Sequence, residues 1–124
     1  MTFTPAETAD RTGFSLDTLR YYEKEGLLTV ARTSGGRRVY SDSDLEWLGL
    51  VRCLRDTGMP IADLRRYADL SGDDSTLDDR LDLLIEHERQ VAERLRALLA
   101  QKARLDEKIA WYRSQGAGVR TRHD

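Results

Sequence analysis

The sequence predicts a chain dominated by α-helix: a compact amino-terminal head with one small β-hairpin, followed by a long helix suited to pairing with another. Three observations carry that expectation. Capping residues and glycine stops bracket short helical segments before residue 70, β-branched and aromatic residues flank a turn at Ser34-Gly35-Gly36, and leucines recur at heptad spacing from residue 77.

In chain order, Thr4, Pro5 and Glu7 form a capping-box signature that starts a first helix, and Gly13 supplies its left-handed stop. Ser15 opens a second helix that runs to Gly26. Helix, tight glycine turn and helix make a helix-turn-helix, in which the second helix, Leu16 to Lys24, is the one presented to a groove. Helical spacing puts Asp17, Arg20, Tyr21 and Lys24 on one side, with Leu16, Leu19 and Glu23 roughly opposite. Tyr22 is expected to lean inward.

The stretch "LLTVARTSGGRRVYS" reads as two short strands joined by a glycine turn, a wing whose tip carries Arg37 and Arg38 outward. Ser41 or Asp42 then caps a third helix that stops at Gly58, with Leu45, Leu48, Val51 and Leu54 at helical spacing. Pro60 begins a fourth helix to about Leu70, and "SGDDS" is a loop.

From Thr76 to about Ser114, Leu77, Leu81, Leu84, Glu88, Val91, Leu95, Leu98, Lys102, Leu105, Ile109 and Tyr112 lie alternately four and three residues apart, uninterrupted by proline or glycine. A lone helix has nothing to bury that stripe against, so a second copy of the chain is the expected partner, with Leu77, Leu81, Leu84, Val91, Leu95, Leu98, Leu105 and Ile109 at the interface. Glu88 and Lys102 are placed symmetrically about Leu95. An antiparallel pair sets one against the other, whereas a parallel pair stacks Glu88 on Glu88, so the expectation is an antiparallel coiled coil. The expected organisation is therefore a head over 1–70, a linker over 71–75, a dimerisation helix over 76–114 and a frayed tail over 115–124.

The composition sets limits on function. The 124 residues are 34% charged and 40% hydrophobic, with no apolar run that suits a membrane span or secretory signal, so a cytoplasmic protein is expected. The net charge of −2 argues against a nucleic-acid partner only if its distribution is ignored. Gly26 to Ser41 holds three basic residues, Arg32, Arg37 and Arg38, and no acid, with Arg20 and Lys24 just before. One cysteine, Cys53, excludes an internal disulfide, and the two histidines, His87 and His123, form no zinc-ligand spacing, so neither metal nor cofactor is expected. No histidine is spaced to activate Cys53, and no carboxylate dyad or phosphate-cradling glycine loop is present, which argues against an enzyme.

The runs Thr18-Leu19-Arg20-Tyr21-Tyr22-Glu23, Gly26-Leu27, Gly36-Arg37-Arg38-Val39-Tyr40-Ser41, Asp44-Leu45 and Thr57-Gly58-Met59 together resemble the head of a MerR-type transcriptional regulator, over residues 2 to about 70. The resemblance implies a homodimer on a palindromic promoter element in double-stranded DNA. It also implies that an effector prompts bending and untwisting of the DNA, which reaches RNA polymerase through the promoter. It further implies that Asp17, Thr18, Arg20, Tyr21 and Lys24 face the major groove or its edge, that Arg32, Arg37, Arg38 and Tyr40 serve in the wing, and that Arg66 and Tyr67, with Arg65, add phosphate contacts from the fourth helix.

Cys53 has two readings: a small apolar filler beside Leu50 and Leu54, or a sensor whose flanking Arg52 and Arg55 favour the thiolate. The run "RCLRDTGMP" is similar to one in a short, single-cysteine branch of that family responding to aldehyde and nitrosative stress. The paired cysteines of the metal-sensing branch are absent. His87 is expected to be solvated or interfacial. Trp111 and Tyr112 are expected to contact the partner's head, with a small-ligand site there as the alternative. A coiled-coil adaptor whose head binds protein is the remaining reading.

Overall fold

The structure, a computed structural model, describes residues 1–116. The expected tail and His123 lie largely outside them. The element order is β1 (Thr2–Phe3), α1 (Pro5–Thr12), α2 (Leu16–Lys24), β2 (Ala31–Arg32), β3 (Arg38–Ser41), α3 (Asp42–Asp56), α4 (Ile61–Leu70), a 3-10 turn (Asp74–Thr76) and α5 (Leu77–Ser114).

Local chemistry sets the helix starts. Thr4 accepts from the Glu7 amide at 3.1 Å while the Glu7 carboxylate accepts from the Thr4 amide at 2.9 Å, closing the capping box. These hydrogen bonds hold the Glu7 carboxyl below the usual carboxylate range. Ser41 and Asp44 form the same reciprocal pair at the start of α3. Ser15 caps α2 through the Thr18 amide at 3.1 Å.

The α1–α2 turn is locked from a distance. Gly13 has φ 79°, a left-handed geometry that only glycine adopts readily. The Arg52 guanidinium of α3 lies where a Gly13 Cβ would project, and its Nη1 donates to the Thr12 carbonyl at 2.6 Å. Arg55 lies over the Phe14 ring at 4.8 Å from its centroid. Thus α3 clamps the turn that sets the angle between the first two helices.

The sheet has three strands rather than the expected two, in the order β1-β3-β2 and all antiparallel, with Phe3 opposite Tyr40 and Arg32 opposite Arg38. The core gathers Phe3, Phe14, Leu19, Tyr22, Tyr40, Leu48, Val51, Leu54 and Leu64. Phe14 meets Tyr22 edge-on at 5.3 Å, and Trp47 stacks on Tyr67 at 5.6 Å while its indole N–H donates to the Leu27 carbonyl at 2.7 Å.

The compact head extends to His87, past the boundary expected at residue 70. Leu83 and Leu84 pack against its core, so Leu84 serves the chain's own head. His87 is buried, with Nε2 2.8 Å from the Thr57 hydroxyl, a correction to its expected solvated or interfacial place. The linker expected at 71–75 is ordered in part: Thr76 donates to the Leu70 carbonyl at 2.5 Å, and Asp73 caps the 3-10 turn through the Ser75 amide at 2.9 Å.

The second unit, from Glu88 on, is described through α5 alone. Within α5, Leu77, Leu81, Leu95, Leu98, Leu105 and Ile109 are exposed, as are Ile85, Leu99 and Trp111, while Val91 is half-buried. Lys102 pairs with Asp106 one turn on, at 2.8 Å. No helix among the described residues is long and apolar enough to cross a membrane.

Candidate nucleic-acid interface

The second helix presents the face its spacing predicts. Leu19 and Tyr22 are buried, while Asp17, Arg20, Tyr21 and Lys24 are exposed, Tyr21 at 47%. Leu16, expected on the inner side, is exposed at 39%. Arg20 Nη1 is 3.6 Å from the Asp17 carboxylate, a loose and well-solvated pair that leaves most of the guanidinium's donors available. Thr18 is half-buried, and its hydroxyl oxygen accepts from the Ser15 hydroxyl at 2.9 Å.

The wing is a tight turn. Thr33 N donates to the Arg37 carbonyl at 2.8 Å, Gly36 N donates back to Thr33 at 2.9 Å, and Gly36 takes φ 82°. Arg32 Nη1 donates to the Gly36 carbonyl at 3.1 Å. Arg37 projects exposed from the turn. Arg38 is half-buried, with Nε donating to the Glu23 carboxylate of α2 at 2.8 Å, and Arg32 Nη2 is 3.8 Å from the other oxygen. Arg65 on α4 donates to Glu25 at 2.8 Å, and Arg66 beside it is exposed.

Two expected surface residues are corrections. Tyr40 is 1% exposed, since it belongs to the central strand and faces inward beside Phe3. Burial, then the Glu23 charge, push its phenol above the ordinary tyrosine range. Tyr67 is buried by stacking on Trp47. Both rings support the surface that carries Arg38 and Arg66.

Sequence reasoning missed the acidic residues that organise these arginines. Glu23 and Glu25 follow the tyrosines on α2, and their alternation with the basic residues gave no sign of which arginine each would meet.

Cys53 is exposed on α3, which overturns its reading as a buried filler. The flanking arginines are directed elsewhere: both reach Asp56, at 3.4 Å from Arg52 and 2.9 Å from Arg55, and they hold that carboxyl below its usual range. Among the described residues, no group of three or more His, Cys, Asp or Glu side chains is placed to hold a metal ion.

Residues 3–70 match the family profile described as MerR HTH family regulatory protein, and residues 45–108 match the one described as MerR, DNA binding. The chain belongs to the MerR family. It is accordingly a MerR-family DNA-binding transcriptional regulator, with the head and most of α5 covered by the two profiles. An uncharacterized HTH-type transcriptional regulator of Haemophilus influenzae is 40% identical over 94% of this chain and 88% of its own length. The HTH-type transcriptional regulator AdhR of Bacillus subtilis is 33% identical over 71% of this chain, which spans 64% of that relative. Among solved structures, HiNmlR, a MerR family regulator lacking the sensor domain, was crystallised bound to promoter DNA. It is 39% identical with a TM-score of 0.84, covering 92% of each chain. A MerR family regulator from Listeria monocytogenes also has a TM-score of 0.84, at 32% identity over 89% of this chain and 85% of that one.

Proposed function

We propose that this MerR-family protein binds a palindromic promoter element as an antiparallel homodimer and distorts the DNA to activate transcription when an effector arrives. The observation that carries this reading is the juxtaposition of α2, with Arg20, Tyr21 and Lys24 exposed on one face, and a wing whose Arg37 is exposed and whose Arg38 is bonded back to that same helix. A helix end with arginine and tyrosine suits base-edge and phosphate contacts, and a basic turn suits the neighbouring backbone. The likeness to HiNmlR, bound to promoter DNA in its crystal, supports the same use of the head here. The exposed apolar stripe of α5 supports pairing of two copies.

The effector is read as an electrophile acting at Cys53, as in the aldehyde- and nitrosative-stress branch, on the grounds that this cysteine is exposed. The alternative keeps the DNA-binding module and places a small ligand near Trp111 and Tyr112. There an edge-to-face aromatic pair at 4.9 Å has the Lys108 ammonium 4.9 Å from the indole centroid. An adaptor role is disfavoured by the paired basic features of α2 and the wing.

The test is a gel shift on the chain's own upstream promoter at two salt concentrations, followed by transcription from it with and without formaldehyde. Sequence-selective binding that weakens steeply with salt is expected, since roughly four phosphate contacts per half-site release as many counterions. Equal binding to any duplex, or none, would rule the reading out.

A further inference from the structure

We infer that Glu23 is a positioning residue for DNA binding, its carboxylate holding the two strands of the wing against the second helix of the helix-turn-helix. The inference rests on the DNA-binding reading above and assigns a task to an acidic side chain which that reading leaves unused.

Arg32 and Arg38 are register partners across β2 and β3, so two like charges face each other on a hairpin. Direct cross-strand pairing of like charges is destabilising. The strand that must tolerate it is only two residues long and exposed at both, and so short a hairpin has little stability of its own.

Glu23 resolves this from outside the hairpin. Oε1 accepts from Arg38 Nε at 2.8 Å, and Oε2 lies 3.8 Å from Arg32 Nη2. Arg32 in turn holds the Gly36 carbonyl at 3.1 Å, so one carboxylate reaches both strands and, through Arg32, the turn at the wing's tip. The side chains of Glu23 and Arg38 are 23% and 31% exposed, which shields their contact from the full screening of a surface ion pair. Among the described residues Arg38 donates through its Nε, which fixes the plane of the guanidinium and leaves its terminal donors for a phosphate oxygen.

This role has a sign opposite to that of an ordinary acid near DNA. Neutralising a solvated carboxylate at such a surface raises affinity for every duplex, because it removes repulsion from the phosphates. Neutralising a carboxylate that orients the wing lowers affinity for the cognate site and leaves random DNA bound as well as before or better.

The experiment measures Glu23→Gln, Arg38→Ala and the double variant on the upstream promoter element and on random duplex of equal length, with thermal unfolding followed alongside. In Glu23→Gln the specific affinity falls about tenfold while that for random DNA does not fall, and the double variant binds no more weakly than Arg38→Ala alone. Specific binding by Glu23→Gln at or above the wild-type level overturns the inference, as do losses that simply add. Should the glutamine variant melt below the assay temperature, Glu23→Asp carries the comparison. It keeps the charge on a side chain one methylene shorter, so it loses specific affinity if reach to Arg38 matters, and wild-type affinity then overturns the inference. A wild-type protein that does not distinguish its operator from random duplex defeats the DNA-binding reading itself, a result separate from any difference among variants.

Discussion

The Nε2 atom of His87 lies 2.8 Å from the Thr57 hydroxyl, joining the first turns of α5 to the end of α3. The hydroxyl also donates to the Cys53 carbonyl at 2.7 Å. It also lies 3.2 Å from the Leu54 carbonyl, so His87 meets a hydroxyl already gathered into the last turn of α3. His87→Ala opens a cavity and removes the ring's hydrogen bond to Thr57, and about 1–3 kcal/mol of stability is expected to be lost. Thermal unfolding by circular dichroism checks this against Asp82→Ala, an exposed position of the same helix outside the heptad stripe that should leave the midpoint unchanged.

What the sequence made legible was local. The Thr4 capping box and the Gly13 stop follow from residues within four positions of one another and appear as expected, and of the two caps open for the third helix, Ser41 or Asp42, Ser41 is the one used. β1 was not legible, because two residues have no period to read. The packing of Leu84 and His87 against the head was hidden for another reason: a heptad stripe looks the same whether it is covered by a second chain or by the chain's own head. Tyr40 and Tyr67 lie within two residues of an arginine in the sequence, which by itself suggests a shared place at the surface. Tyrosine is amphipathic enough to serve either way, and only the packing of Phe3 and Trp47 decides. The links from Glu23 to the wing and from Arg52 to Thr12 span 15 and 40 residues, so no local pattern announces them.

Arg20 and Arg37 should fail differently on DNA. Arg20 is exposed on the reading face of α2, and Arg20→Ala is expected to abolish discrimination of the operator at a cost of about 1–3 kcal/mol, with the dimer intact. Arg37 lies at the wing's turn, where Arg37→Ala should weaken all duplexes alike and reduce the salt slope by about one. Titrations at several salt concentrations separate the two. Unchanged affinity in Arg20→Ala would remove α2 from the interface.

The stripe on α5 makes a definite prediction about assembly. Leu95 is 54% exposed at the centre of the seam, and Leu95→Asp should yield monomers at micromolar protein in sedimentation. Direction is tested by charge exchange. If the helices run antiparallel, Glu88→Lys sets like charges together at both ends and weakens the dimer by about 0.3–1 kcal/mol per pair, and adding Lys102→Glu restores it. In a parallel pair Glu88→Lys only exchanges one like-charge contact for another, and the second change brings no recovery. Lys102 already pairs with Asp106 on its own helix, so the exchange should be read together with Asp106→Asn.

Cys53 is exposed, and both neighbouring arginines are drawn to Asp56. Its backbone carbonyl accepts the Thr57 hydroxyl that also meets His87, which places a modified Cys53 next to the hydrogen bonds anchoring α5 to the head. A bulky adduct there is expected to disturb the contact between the end of α3 and His87. Cys53→Ser is expected to bind the promoter as tightly as wild type and to abolish the transcriptional response to formaldehyde or a nitrosothiol. His87→Ala, if it still folds, should respond weakly or constitutively, since that contact is already loosened. In vitro transcription with purified protein reads both, and a full response by the serine variant would move the sensing site away from this thiol.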